Sequence, residues 1–278
     1  MSKASLQYYC ESCQNILSES YFESDISSSV ESCPFCGTVI SQTLQKRFSR
    51  PVTKPVVVFK KASSLPKLTL DIQKLDELFH FLTLNDKLCI SGIQTQKIIE
   101  RICVRAQLPS RYGGLNSKVL LIDGANSSDL YQCVDFAQQY GLNINKILDG
   151  VLSSRAFTVY QLANTIIEEL PLIIKEYGVK IVIITNLLNY FTNDLHLDTN
   201  EMKMILQKII KTLNDIQDCM LIVSLGMPSQ YDYLFSKTFS RTIRVQQSYG
   251  TLSVSVNNNG KKNSVLLKQE ELETIPQH

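Results

Sequence analysis

Four cysteines near the start of the chain have the spacing of a metal site. Cys10 and Cys13 in YYCESCQ, and Cys33 and Cys36 in ESCPFCGTV, form two Cys-x-x-Cys pairs separated by 19 residues. Thiolates spaced in this way can converge on one ion, and two such pairs complete a tetrahedral sulfur shell for zinc. A closed sulfur shell leaves no position for water, so the ion expected here is structural. A redox pair or an iron–sulfur centre is the chemical alternative. The intervening YFESDISSSV is short and polar, which fits a ribbon that takes its folding energy from the ion. Cys89, Cys103, Cys133 and Cys219 stand singly in apolar runs, as small core residues do.

A second stretch, CISGIQTQKIIERICVRAQLPSRYGG at 89–114, runs from an apolar strand through a tight segment into an amphipathic helix led by Lys97. A lysine at the start of a helix directly after a strand is placed to meet a phosphate, because the ammonium group and the helix N-terminus both favour an anion. A merely solvated lysine would fit the same pattern.

The net charge of +2 hides a segregated distribution. Residues 1–40 carry one lysine against five acids, whereas Lys46 to Lys67 holds seven basic residues and no acid. A second acid-free stretch between Asp232 and Glu270 contains Lys237, Arg241, Arg244, Lys261, Lys262 and Lys268. Brought together by a fold, such zones make a phosphate-binding face. Kept apart, they are the ordinary solvation of a linker and of edge strands.

These groups must be positioned by a larger domain, and 278 residues with 44% apolar content can bury one sizeable core beside a small accessory unit. The expected organisation is a zinc ribbon over 1–45, a basic linker over 46–67 containing the short strand VVVFK, a core over 68–268 and a flexible polar tail over 269–278. Within the core, KLCIS, KVLLID, VKIVIIT and CMLIVS read as buried strands alternating with helical patterns. RTIRVQQ, GTLSVSV and NSVLLKQ, joined by SYG and NNNGKK, read as hairpins. The fold class is therefore α/β, a mostly parallel sheet with helices on both faces and an antiparallel edge. No apolar run approaches the ~20 residues that cross a bilayer, and MSKASLQYYCESCQ lacks the features of a signal peptide. A soluble cytoplasmic chain, or a nuclear one in a eukaryote, with no membrane partner is expected.

Over roughly 55–256 the chain resembles the RadA group of the RecA superfamily, the strand-exchange recombinases of archaea and eukaryotes, and their paralogues. The resemblance lies in LTLDIQKLDELF, ICVRAQLPSRYGGLNSKVLLID and YGLNINKILDGVLSSRAFT, the last with the Arg155, Ala156, Phe157 signature. It implies a RecA-like P-loop NTPase core, with departures at the chemistry. The family's Gly-x-x-x-x-Gly-Lys-Thr is matched by Ser91, Gln96, Lys97 and Ile98, so the lysine stands without its second glycine and hydroxyl. Ala125 matches the glutamate that polarises water, Thr185 the magnesium-associated aspartate, and Leu225 and Gly226 the polar pair that couples nucleotide to DNA. The resemblance also implies a Phe-x-x-Ala strand for recombinase contact, matched by Phe59 and Ala62. It further implies DNA-facing loops, the second of which, 227–239, carries Tyr231, Tyr233 and Lys237 ahead of Arg241 and Arg244.

The expected function is that of a non-catalytic recombinase paralogue that assists homologous recombination or repair by binding single-stranded DNA, a RadA-type recombinase, or both. Structural zinc is the expected cofactor, and ATP or ADP would bind weakly at Lys97 or not at all. A pure protein-interaction subunit and a nucleotide-binding regulator with weak ATPase activity are the alternatives. For the metal, Cys33→Ser should abolish the zinc released to a colorimetric chelator while the core keeps its cooperative unfolding transition; undiminished zinc would contradict the assignment.

Overall fold

The computed structural model describes the backbone of residues 7–9 and 16–18, and residues 66–126, 128, 130–193 and 198–275. Cys10, Cys13, Cys33, Cys36, Phe59 and Ala62 lie outside the described residues. The chain divides into two compact units, Met1–Lys61 and Ala62–His278. In the first, β1 (Gln7–Tyr9) and β2 (Ile16–Ser18) pair antiparallel.

The second unit opens with a small antiparallel pair, β3 (Lys67–Leu68) and β4 (Leu82–Thr83), flanking α1 (Gln73–Phe79). There follow β5 (Lys87–Gly92), α2 (Thr95–Gln107), β6 (Val119–Asp123), α3 (Leu130–Gln139), α4 (Ile144–Asp149) and β7 (Val151–Arg155). A helix in two parts, α5 (Val159–Asn164) and α6 (Leu170–Tyr177), leads to β8 (Ile181–Thr185), α7 (Asn189–Asn193), α8 (Thr199–Asp215) and β9 (Met220–Ser224). The chain then forms α9 (Asp232–Thr238), β10 (Arg241–Ser248), β11 (Thr251–Asn258), β12 (Lys261–Leu267) and α10 (Gln269–Glu273). The strand order is β12-β11-β10-β5-β9-β8-β6-β7, parallel from β10 to β7 and antiparallel from β10 to β12.

Every residue of β6, β8 and β9 is buried, because helices cover both faces. Alternation divides these strands between two cores. Ile181 and Ile183 pack with α1, α2, α3 and α10, whereas Val182 and Ile184 pack with α5, α6, α8 and α9. Each fully buried isoleucine or leucine contributes about 1.5–3 kcal/mol by leaving water. β10 and β11 are two-sided in a different sense. Ile243, Val245, Val254 and Val256 enter the first core, while their neighbours Thr242, Arg244 and Ser255 face a polar groove. The hairpins close as the sequence predicts, with positive φ at Tyr249 and Gly250 and again at Asn259 and Gly260, the conformation that two-residue turns between twisted strands require.

Ahead of Pro171 the long helix is divided by a π-helical turn, Thr165–Glu169, and Pro171 stands in the first turn of α6, where its missing N–H is tolerated. Two elements differ from the sequence reading. Residues 232–238, expected as loop, form α9, because Tyr231, Phe235 and Phe239 recur every four residues and all pack into the second core. The segment after 268 is not a free tail through residue 275. Leu272 is fully buried, and Arg101, 1% exposed in α2, donates to the carbonyl oxygens of Glu271 and Thr274 as well as Asp71. The Arg101 guanidinium also lies 5.0 Å from the Phe136 ring centre. Burial lowers the pKa of Arg101, with Tyr140 and Asp71 acting against that shift. Arg101→Met would leave these carbonyls without their donor, so urea unfolding should show a loss of about 3 kcal/mol; a loss under about 1 kcal/mol would contradict this anchoring role.

Candidate functional site

The site begins where β5 leaves the sheet. β5 pairs with β10 as far as Gly92 opposite Val245, and the chain reaches the first residue of α2, Thr95, after only Ile93 and Gln94. Gly92 has φ +103°, and a Cβ there would lie 1.9 Å from the Val245 carbonyl oxygen, so neither the conformation nor the space admits another residue. Gln94 caps the helix in the left-handed region, φ 56°, without a side-chain hydrogen bond. The Gly92 N–H donates to the Gly226 carbonyl at 3.0 Å and the Ile93 N–H to Val245 at 3.1 Å. Two amides of this turn are thus spent on a neighbouring strand and loop.

The side chains around this turn are engaged as well. Lys97, in the first turn of α2, forms an ion pair with Glu273 of α10. Its hydrogen bond, and then that from Gln269, holds the Glu273 carboxyl below the ordinary carboxylate range. The Gln96 side chain is turned along the helix, its amide donating to Glu100 at 2.8 Å. Ile98 is a core residue, 1% exposed.

The carboxylate retained at the end of β6 is tied into a loop closure. Asp123 Oδ1 accepts from the Ala125 N–H at 3.1 Å and from the Thr185 hydroxyl at 3.2 Å, and Oδ2 accepts from the Ser128 N–H at 2.7 Å. Gly124 donates to the Thr185 carbonyl, which holds the β6 and β8 exits together. Ala125 contributes no side-chain acceptor, and Leu225 is buried. Among the described residues no group of three or more His, Cys, Asp or Glu side chains could hold a metal ion.

The five residues expected to face DNA are separated by the fold. Tyr231 is 5% exposed and belongs to the second core, so its ring is unavailable for stacking; this corrects its placement on an exposed loop. Arg241 is mostly buried, with Nε 3.3 Å from Asp86 and a hydrogen bond to the Phe81 carbonyl. Tyr233 is half exposed, and the Lys237 ammonium lies 5.5 Å from its ring centre. They line a cleft between α8 and α9 with Lys211 and Gln207. Arg244 lies 3.5 Å from the buried Asp232, the first residue of α9, whose Oδ1 accepts from the Ser229 N–H and hydroxyl. It lines a groove of about 690 Å³ with Thr242, Gln246, Ser255, Asn257 and Lys262. The register aligns Arg244 with Ser255 and Ser264, and Thr242 with Asn257 and Lys262. The strict alternation of TIRVQ and LSVSV carries this polar face in the sequence, where Lys262 belongs to the acid-free stretch, and the α8 periodicity is the signal that points to Lys211.

Residues 91–228 match the Rad51 family model. The DNA repair and recombination protein RadA of Metallosphaera sedula is 30% identical over 135 residues, 46% of this chain and 41% of the relative. The meiotic recombination protein DMC1 homolog of Arabidopsis thaliana is 26% identical over 148 residues, 48% of this chain and 40% of the relative. The chain therefore spans about two fifths of the length of these curated relatives. With the matched segment running from the β5 exit to the loop after β9, and with the α/β sheet it builds, the chain carries a Rad51-type domain and has the RecA-like core of the RecA/RadA recombinase superfamily.

Proposed function

We propose that this chain is a recombinase paralogue that serves homologous recombination or DNA repair without turning over ATP, by binding single-stranded DNA, a recombinase, or both. The observation that carries this reading is the tight turn after β5, where the Gly92 and Ile93 amides are committed to Gly226 and Val245. Phosphoanhydride hydrolysis needs positioned phosphates, a metal and an oriented water. Here Ile98, Ala125 and Thr185 stand where the family resemblance implies a hydroxyl, a glutamate and an aspartate. Zinc held by Cys10, Cys13, Cys33 and Cys36 belongs to the same reading as a structural ion.

For nucleic acid, the support is the polar face of β10–β12. Between Asp232 and Glu270 the chain has six basic residues and no acid, and Arg244 and Lys262 present their charge among hydroxyl and amide side chains that suit a sugar–phosphate backbone. Tyr233 on the other side of α9 offers an exposed ring for a base.

A protein-binding role without DNA is favoured by a different observation. β7 has no strand partner on its outer edge among the described residues, and Phe157 and Tyr160 beside it are 60% and 55% exposed. An open edge with adjacent aromatics suits the addition of an extended segment. Binding of a recombinase with no measurable affinity for DNA would select this second reading.

Magnesium-dependent phosphate release by the purified chain should not exceed that of Lys97→Ala; a wild-type rate well above the variant would contradict the non-catalytic reading. Fluorescence anisotropy with a single-stranded oligonucleotide should show binding that weakens with salt. Arg244→Ala combined with Lys262→Ala should reduce the slope of log affinity against log salt by roughly 1.4, from about 0.7 per phosphate contact on a single strand. An unchanged slope would remove the β10–β12 face from the DNA reading.

A further inference from the structure

The Lys97 ammonium is covered by the chain's own carboxylate, 176 residues away in sequence. Glu273 belongs to a helix of five residues, too short to persist unless something external holds it. Several groups do. Arg101 donates to the carbonyl oxygens of Glu271 and Thr274 from beneath. Gln139 of α3 brackets the end of the helix, donating through Nε2 to the Glu273 carbonyl at 3.0 Å and accepting at Oε1 from the Ile275 N–H at 3.0 Å. Lys74 of α1 holds the beginning through the Leu266 carbonyl and the Glu271 carboxylate. Leu272 fills the apolar socket between them. The result is a strap running from the end of β12 across α1, α2 and α3, and it delivers an anion to the first turn of α2.

We propose that α10 is an intramolecular latch whose Glu273 carboxylate occupies the anion position of Lys97, so that phosphate-bearing ligands are excluded from Lys97 for as long as the latch is closed. This rests on reading Lys97 as the remnant of a phosphate-binding lysine. The latch has somewhere to go. A cleft of about 230 Å³ lies beside the ion pair, lined by Gln132, Asp135, Phe136 and Gln139 of α3, and it is continuous with Lys97 and Glu273 themselves. The strap is also held unevenly. Its apolar and backbone anchors at Leu272 and Arg101 are buried, whereas Glu273 is 42% exposed at its side chain. The pair with Lys97 is therefore the solvent-facing end of the strap, the point from which opening of α10 starts.

Inorganic tripolyphosphate is the probe, measured by titration calorimetry against the full chain, Glu273→Gln, and Glu273→Gln combined with Lys97→Ala. The latch predicts that Glu273→Gln binds tripolyphosphate at least about tenfold more tightly than wild type, and that the double variant loses the gain. Equal behaviour of wild type and Glu273→Gln, whether both bind or neither does, would overturn the proposal. Hydrogen exchange supplies a second reading that does not need the anion. In Glu273→Lys, where charge repels Lys97, α10 amides should exchange at least about tenfold faster while β8 and β9 are unchanged; unaltered protection of α10 would also overturn it. Phosphate release assays on the same proteins report separately on the non-catalytic reading, since an opened latch restores an anion contact but neither the metal ligands nor the water-orienting carboxylate.

Discussion

The register of β5 against β10 is the constraint on which the site depends. Pairing continues through Gly92 opposite Val245, and the turn that follows is therefore pulled against β10 rather than raised over the strand ends. From this one alignment come the positive φ of Gly92, the two amides donated to Gly226 and Val245, and a helix that starts at Thr95, two residues before Lys97. A loop that cradles phosphate leaves its N–H groups free to converge, and at Gly92 and Ile93 that would break the bonds to Gly226 and Val245.

The groups that remain polar at this end of the sheet have been given structural work. Asp123 closes the 124–128 segment, Thr185 ties that closure to β8, and Lys97 is neutralised by α10. Buried polar groups are costly when unpaired, and these are satisfied within the chain. The groove lined by Arg244 and Lys262 keeps polar groups open to solvent instead: it lies between β10–β12 and α9 and reaches Ser91 at the end of β5.

Much of this was legible in the sequence, and the physical reason differs by element. The continuous apolar runs VKIVIIT and CMLIVS could only be strands covered on both faces, and they are β8 and β9. The alternation in β10 and β11 and the turn residues between them specified hairpins. The sequence does not mark β7 as a strand, because an edge strand with Ser153 and Ser154 lacks the fully buried pattern of its neighbours. α9 is concealed although Tyr231, Phe235 and Phe239 recur at helical spacing, since aromatics beside Lys237 equally suit an exposed loop. The Lys97–Glu273 pair could not be read at all: local periodicity holds no information about a contact made by two distant segments, and the polar composition of 269–275 conceals the single buried anchor, Leu272.

The central claim is that the turn between β5 and α2 is closed by its own backbone and does not open for a nucleotide. Residue-resolved amide exchange at Gly92, Ile93 and Lys97, with and without magnesium ATP, tests it most directly. The account predicts strong protection at Gly92 and Ile93 that is the same in both conditions. A nucleotide-dependent change in exchange confined to 92–97, with the flanking strands unaltered, would contradict it and restore this turn as a working phosphate site.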